Sequence, residues 1–484
     1  MPAEGSAFFK RFPVQMFPLN PWDVHMSEYN QSLNPVSAQA RVLDFFDFLS
    51  LWGSLGVGLL VMLAGASLLP ALSLAQALGA IFVGSVLGAA LLGWVGRLGA
   101  VTGLSSAGLI WPSLGKGFAR VPVVLNILQL IGWALFEIIV MRDGLNAVLS
   151  AAGVQVPVVF LTALVGMLLA ILLALAMTGF VRKFIRGIGV SLTVAALAWI
   201  SLQLARQGGF GEVWNKPGDG SMSFAAAVDL VIAMPISWLP LVADYTRFGK
   251  SPGRAYAGTS LGYGLANGWC FALGVLLVAL FPGKDTLAAI LLLPVGGLAL
   301  GLILLDEMDN GYSDLYSASV SGHSMMPRLS VRQIGPVLAL LGALAAILLP
   351  IGNFADFQSK YQDFLYLIGA VFVPLFAVVI AHFMICGEQS RAVDAPNFVW
   401  PGIVGWVAGF VFYEALGGFS SLINIMNAVA GLDKDAGYHV PALLQPMADF
   451  GGTWGASIPS LLLAMVVYAG MSRMVPSRAQ LVKG

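Results

Sequence analysis

Long apolar stretches constrain this chain more than any other feature it has. A helix that crosses a bilayer needs ~20 mostly apolar residues, whereas a buried core helix of a soluble protein is usually shorter. Twelve runs reach that length, at roughly 43–69, 74–96, 121–141, 156–178, 184–205, 223–243, 257–281, 287–312, 334–352, 363–385, 399–418 and 454–472. The seventh and eighth are parted only by Pro282-Gly283-Lys284-Asp285. Apolar residues make up 58% of the 484 and charged residues 10%. A soluble domain carries about a quarter charged residues, so this surface cannot all face water. The sequence predicts an all-α polytopic membrane protein with twelve transmembrane helices and the lipid bilayer as its main partner.

Lys and Arg placement sets the expected orientation. With the amino terminus in the cytoplasm, 18 of the 24 basic residues fall on cytoplasmic segments. The other side holds six: Arg142, Arg206, Lys216, Lys284, Lys360 and Lys434. This bias predicts an even number of spans, both termini inside, and residence in the cytoplasmic (inner) membrane. The implied organisation is a cytoplasmic tail over 1–42, helices one to five over 43–205, a loop over 206–222, helices six to ten over 223–385, helices eleven and twelve over 399–472, and a cytoplasmic tail over 473–484. The segment 419–453 reads as an ordered external loop with a short amphipathic helix. No cleavable signal peptide is expected, because the first forty residues are polar and mixed, with Pro13, Pro18, Pro21 and Pro35 among them.

Several function classes find no support. Net charge is zero, which gives no reason to expect a nucleic-acid partner. Cys270 and Cys386 form no CxxC or Cys/His cluster, so neither a disulfide framework nor a zinc site is expected. No nucleophile–base pair, metal motif or phosphate loop points to a membrane enzyme, and no repeated filter-like segment points to a channel. No organic cofactor is expected, and the chain reads as a monomer.

A carrier is the remaining class, and carriers bind solutes near mid-membrane where broken helices free backbone groups. The first run reads Leu51-Trp52-Gly53-Ser54-Leu55-Gly56-Val57-Gly58, with three glycines in six residues. The sixth reads Met234-Pro235-Ile236-Ser237-Trp238-Leu239-Pro240, and each proline removes a backbone donor. Interruptions five runs apart fit two inverted five-helix repeats. Gly53, Ser54, Ser237 and Trp238 are therefore candidate site residues.

Polar groups at membrane depth supply the chemistry, because an ionisable side chain there faces a cavity or a partner. Gln129, Trp133 and Glu137 in the third run recur every four residues and share one helix face. A flat heterocycle can stack on the Trp133 ring while Glu137 accepts its N–H bonds. The competing reading is that Trp133 only packs and that Glu137 pairs with Arg142. The eighth run ends in Asp306-Glu307-Met308-Asp309-Asn310-Gly311-Tyr312-Ser313-Asp314, four acids in nine residues. Oxygen ligands of this kind suit a hard cation or a proton relay. Asp309 is the first candidate and Asp306 the second, with Asn310 and the backbone at Gly53 and Gly56 completing a sodium site at the helix-one/helix-eight interface. The competing reading is a wet helix end.

Three stretches then carry a family resemblance over roughly 30–475. They are Asn34-Pro35 followed by Phe45-Phe46-Asp47-Phe48-Leu49-Ser50-Leu51-Trp52, then Ala243-Asp244-Tyr245-Thr246-Arg247-Phe248, and Tyr361-Gln362-Asp363-Phe364-Leu365-Tyr366-Leu367-Ile368-Gly369 leading to Pro374. The chain resembles the nucleobase–cation symporter-1 family. Through Tyr316-Ser317-Ala318 it looks most like the cytosine and hydroxymethylpyrimidine permease branch. The resemblance implies a five-plus-five inverted-repeat fold, of the amino acid–polyamine–cation transporter kind, with two further carboxyl-terminal helices. It implies a ring-stacking aromatic at Trp133, a polar partner at Glu137 and a helix-six aromatic near Trp238. It implies import of a small pyrimidine-type ring, hydroxymethylpyrimidine or cytosine, coupled to sodium or protons. A permease of the same fold for another solute, such as an amino acid, is the alternative.

Overall fold

The computed structural model describes residues 33–175, 189–349, 354–387, 395–430 and 440–474. Helices dominate, and among the described residues the only β pairing is a single parallel bridge between Leu43 and Gly249. In chain order the helices are α1 (Phe45–Leu55), α2 (Leu59–Ala66), α3 (Leu74–Thr102), α4 (Ser106–Leu114), α5 (Arg120–Ala151), α6 (Val158–Ala174), α7 (Val190–Arg206), α8 (Phe210–Asn215) and α9 (Phe224–Ser237). They continue as α10 (Leu239–Thr246), α11 (Pro252–Leu280), α12 (Thr286–Leu292), α13 (Gly296–Met325), α14 (Val331–Leu348), α15 (Phe354–Cys386), α16 (Trp400–Leu416), α17 (Ser420–Ala430), α18 (Gln445–Trp454) and α19 (Ser457–Met474).

Helix lies on each of the twelve predicted runs, although 176–178, 184–188 and 350–352 fall outside the described residues. Among the described residues, seven helical spans are long and apolar enough to cross a membrane, and α1 with α2 forms an eighth, bent by 59°. α6, α7 and α16 are apolar but shorter. The 30-residue α13 carries the acids. Two short helices, α17 and α18, occupy the segment expected to be an ordered loop, and 431–439 between them lies outside the described residues.

The side-chain distribution is that of a protein solvated by hydrocarbon. Phe82, Phe160, Leu265, Leu298, Leu348 and Val466 are each at least 65% exposed, while Glu137, Asp306, Glu307, Asn310 and Asp314 are buried. In water this arrangement would be costly on both counts. In a bilayer the exposed apolar belt costs nothing, and the polar groups gather where protein surrounds them.

α13 runs through the middle of the bundle, along α5 and against α1, α2 and α7. α11 lies along α1, α2 and α3. The chain before α1 straps one end of the bundle. Val36 N–H donates to Gly103 O at 3.0 Å, Leu43 N–H to Phe248 O at 2.9 Å, and the Arg41 guanidinium to Ala100 O at 2.9 Å. Asp44 then starts α1 as the first partner of a capping box with Asp47.

The two expected interruptions differ in kind. Helix one opens at Gly56–Gly58, between α1 and α2. Helix six stays a single 23-residue span, broken only at Trp238. Trp238 N–H and Leu241 N–H close three-residue turns on Pro235 O and Trp238 O, so the double proline tightens the helix without parting it.

Candidate functional site

The break in helix one is closed by side chains from α13. Leu59 N–H, the first donor of α2, is accepted by Glu307 Oε1. Asn310 Nδ2 donates to Val57 O at 2.9 Å and to Glu307 Oε2 at 3.4 Å. Gly58 permits this approach, because a Cβ there would stand 3.3 Å from Glu307 Oε1. One residue earlier on α13, Asp306 Oδ1 accepts from Ser54 Oγ at 2.9 Å and from Thr193 Oγ1 of α7 at 3.4 Å. Thus Leu59 N–H and Val57 O, two backbone groups that the break frees, are satisfied, as burial demands, and α1, α2, α7 and α13 are tied together at one level.

α5 brings its polar face to the same place. Glu137 is 4% exposed, sits opposite Gly311 of α13, and makes a hydrogen-bonding contact with Glu307. A hydrogen bond between two carboxyl groups needs one proton on the pair. Glu137 Oε2 has no protein partner, nor do Asp306 Oδ2, Asn310 Oδ1, Gln129 Oε1 and Trp133 Nε1. Five buried polar atoms left over from folding are what a site for polar cargo requires.

Trp133 stands one turn from Glu137. Its ring is met edge-on by Phe364 at 5.3 Å and Tyr361 at 6.0 Å, both from α15. Gly132 allows this, since a Cβ there would lie 2.6 Å from the Phe364 ring. Tyr361 donates to Leu60 O at 3.3 Å and touches Met234 Sδ at 3.2 Å, joining α2 and α9 to this wall. Gln129 Nε2 donates to Asn126 Oδ1 at 3.0 Å and to Ser237 O at 3.5 Å. Asn126 Nδ2 reaches Pro240 O at 3.4 Å and Ser321 Oγ at 3.0 Å. These two amides cover the carbonyls around the Trp238 interruption.

The candidates from sequence therefore divide. Gln129, Trp133, Glu137, Ser54, Asp306 and Asn310 come together around the break. A Cβ at Gly53 would approach Gly262, and one at Gly56 would approach Tyr263 O and Ala266, all on α11. Their absent side chains serve helix approach, and the break residues turned to α13 are Ser54, Val57, Gly58 and Leu59. Asp309 is only half-buried and lies ~200° round the helix from Glu307, so the contacts to the break come from positions 306, 307 and 310. Trp238 packs edge-on against Trp52 at 5.8 Å and against Tyr263 at 6.3 Å. The Ser237 hydroxyl is used on Met234 O at 2.6 Å. Arg142 bonds Asp143 and Ala346 O instead of Glu137, which removes the ion-pair reading of that carboxyl.

Sequence reasoning passed over Glu307, Asp314, Tyr361 and Phe364 as site residues. The first two had a signal: Glu307, Asn310, Gly311 and Asp314 recur at helical spacing and share a face. The latter two lie in a motif quoted for the resemblance, but nothing local aims them at Trp133. The Ala243–Phe248 motif has a structural task at the strapped end. Asp244 Oδ1 accepts Ser106 N–H at 3.0 Å, starting α4, while Ser106 Oγ accepts Ala243 N–H at 3.1 Å. Arg247, fully buried, donates to Asp244 O at 3.3 Å and lies over Phe248.

Two cavities, of about 360 and 480 Å³, open at the end of the bundle opposite the strap. Gln362, the neighbour of Tyr361, lines both. Among the described residues no cluster of three His, Cys, Asp or Glu side chains has the geometry to hold a metal ion.

A helical bundle with a helix broken at its centre, polar groups gathered at the break and an apolar exterior defines a membrane transporter and not an enzyme. Residues 35–414 match the family model described as permease for cytosine/purines, uracil, thiamine, allantoin, and the chain belongs to that family. Among solved structures it is similar to Mhp1, a nucleobase–cation-symport-1 family transporter, in a closed conformation with bromovinylhydantoin bound. That match has a TM-score of 0.68 and 14% identity, covering 92% of this chain and 96% of the other. An inward-facing conformation of Mhp1 matches with a TM-score of 0.67 and 16% identity over 92% and 94%. A manganese transporter from Eremococcus coleocola follows at 0.55 and 16% over 91% and 98%. At these identities the structures speak for the fold alone. No curated protein sequence matches the chain.

Proposed function

We propose that this protein imports a small pyrimidine-type ring, with hydroxymethylpyrimidine or cytosine as the leading cargo, across the inner membrane together with a cation, sodium or a proton, running down its gradient. The carrying observation is the pair formed by Trp133 and Glu137, a buried ring one turn from a buried carboxyl with an unpartnered oxygen, next to the helix-one break. The ring would lie against Trp133 and present N–H groups to Glu137, with Gln129 Oε1 as a further acceptor. The family description and the hydantoin-bound neighbour support a flat heterocycle as cargo.

The coupling cation, sodium or a proton, is assigned to Asp306. Its Oδ2 lacks a protein partner, and Ser54 and Thr193 hold its other oxygen between three helices. Hard cations take oxygen ligands, and a buried carboxyl can equally carry a proton. Uptake by reconstituted protein across a panel of nucleobases, with the sodium and pH gradients imposed separately, tests both parts. Asp306→Asn should abolish dependence on whichever gradient drives wild type, while Asp309→Asn keeps it. The reverse pattern would return the seat to Asp309.

A further inference from the structure

α2 begins directly after the break, and its N-cap residue, Gly58, offers no side chain. The start of such a half-helix carries partial positive charge and unsatisfied N–H groups. Carriers with broken helices seat the acidic groups of their cargo there. In this chain the place is already taken. Leu59 N–H is accepted by Glu307, which is fully buried and steadied through Oε2 by Asn310. Beside it stands Glu137, itself buried, with Oε2 unpartnered. Asp306 and Asp314 are buried on the same helix. Arg247, the one fully buried basic residue among the described residues, is committed to Asp244 at the strapped end. The centre is thus rich in carboxyl groups, and among the described residues it holds no basic side chain to balance another.

We propose that Glu307 is a resident anion that selects cargo by charge. It fills the seat at the start of α2, so the site admits rings without an acid group and turns their donors toward Glu137. An amino acid, whose carboxylate would need that seat, is excluded by the same contact. The selection of rings rests on reading this centre as the cargo site; the seat itself can be tested without cargo.

Formate is small enough to replace the lost carboxylate. Purified Glu307→Gly should gain thermal stability as sodium formate rises into the millimolar range, beyond the effect of sodium chloride, whereas wild type should not. Equal responses of the two proteins, or none in the variant, would overturn the seat. The isosteric Glu307→Gln provides a second test should the glycine variant not fold. Orotate and its carboxamide differ in charge and hardly in volume. In wild type the carboxamide should compete for bound cytosine about tenfold better than orotate, equivalent to ~1.4 kcal/mol, and Glu307→Gln should erase most of that ratio. An unchanged ratio refutes selection by Glu307. If formate rescues Glu307→Gly yet no ring binds wild type, the seat stands and the nucleobase reading falls.

Discussion

Glu137 touches the Glu307 carboxyl and keeps one oxygen without a protein partner, and the proposed function gives that oxygen to the cargo. Glu137→Gln keeps the shape and removes the carboxyl. It should weaken an amino-bearing ring by ~1–3 kcal/mol, and should change a ring that lacks N–H groups on that edge far less. Equilibrium binding to purified protein reads both, and equal losses for the two rings would place Glu137 outside the contact. Its place on a buried polar face was legible in the sequence because Gln129, Trp133 and Glu137 repeat at helical spacing within an apolar run. The role of Glu307 was not. Four neighbouring acids on one helix differ only in angle about its axis, and the packing of α13 against α2 and α5 fixes that angle.

At the scale of elements, the break in helix one is held open by α13. Asn310→Ala leaves Val57 O without its donor and should lower stability by ~1–3 kcal/mol, the cost of a buried unsatisfied carbonyl. Thermal midpoints in detergent should show a larger loss for this variant than for Asp309→Asn; matching losses would mean that the break does not depend on Asn310. The glycine cluster disclosed this break in advance, yet two of its members face α11 and serve close packing. The double proline in helix six promised a wider opening than exists. Local turns and the amides of Asn126 and Gln129 absorb the interruption, and both amides come from α5, more than a hundred residues away in the chain.

Across the whole molecule, the strap before α1 joins the first half of the chain to the second. Arg254 grips both oxygens of Asp44 at 2.8 and 2.7 Å, and this hydrogen-bonded contact holds the Asp44 carboxyl below its ordinary 3.8, aided by the Phe45 amide. A lowered value means the carboxylate stabilises the fold above pH 3.8 and loses that effect as pH falls through its depressed pKa. The midpoint difference between wild type and Arg254→Gln should hold steady from neutral pH down to the ordinary carboxylate range, then close below it. A difference that is flat at every pH would show that the strap does not depend on this charge. Orientation is a separate question at this scale. A reporter fused after Arg254 should read cytoplasmic, as should one after Arg186, which lies outside the described residues.

The sequence alone determined the solvent of this protein, because so many long apolar runs cannot all be hydrated. It also determined where one helix breaks, since three glycines in six residues weaken the helix locally, and which face of helix three is polar, since helical spacing is a property of the chain itself. Tertiary structure decided the rest. Which acid caps α2, which ring lies against Trp133 and which glycines serve packing all depend on the rotation of one helix relative to another. That rotation is set by side chains far apart in the chain, through contacts such as Leu59 to Glu307, Ser54 to Asp306 and Trp133 to Phe364. No local pattern encodes it, because each partner satisfies its own helix equally well at several angles until the other helices are in place.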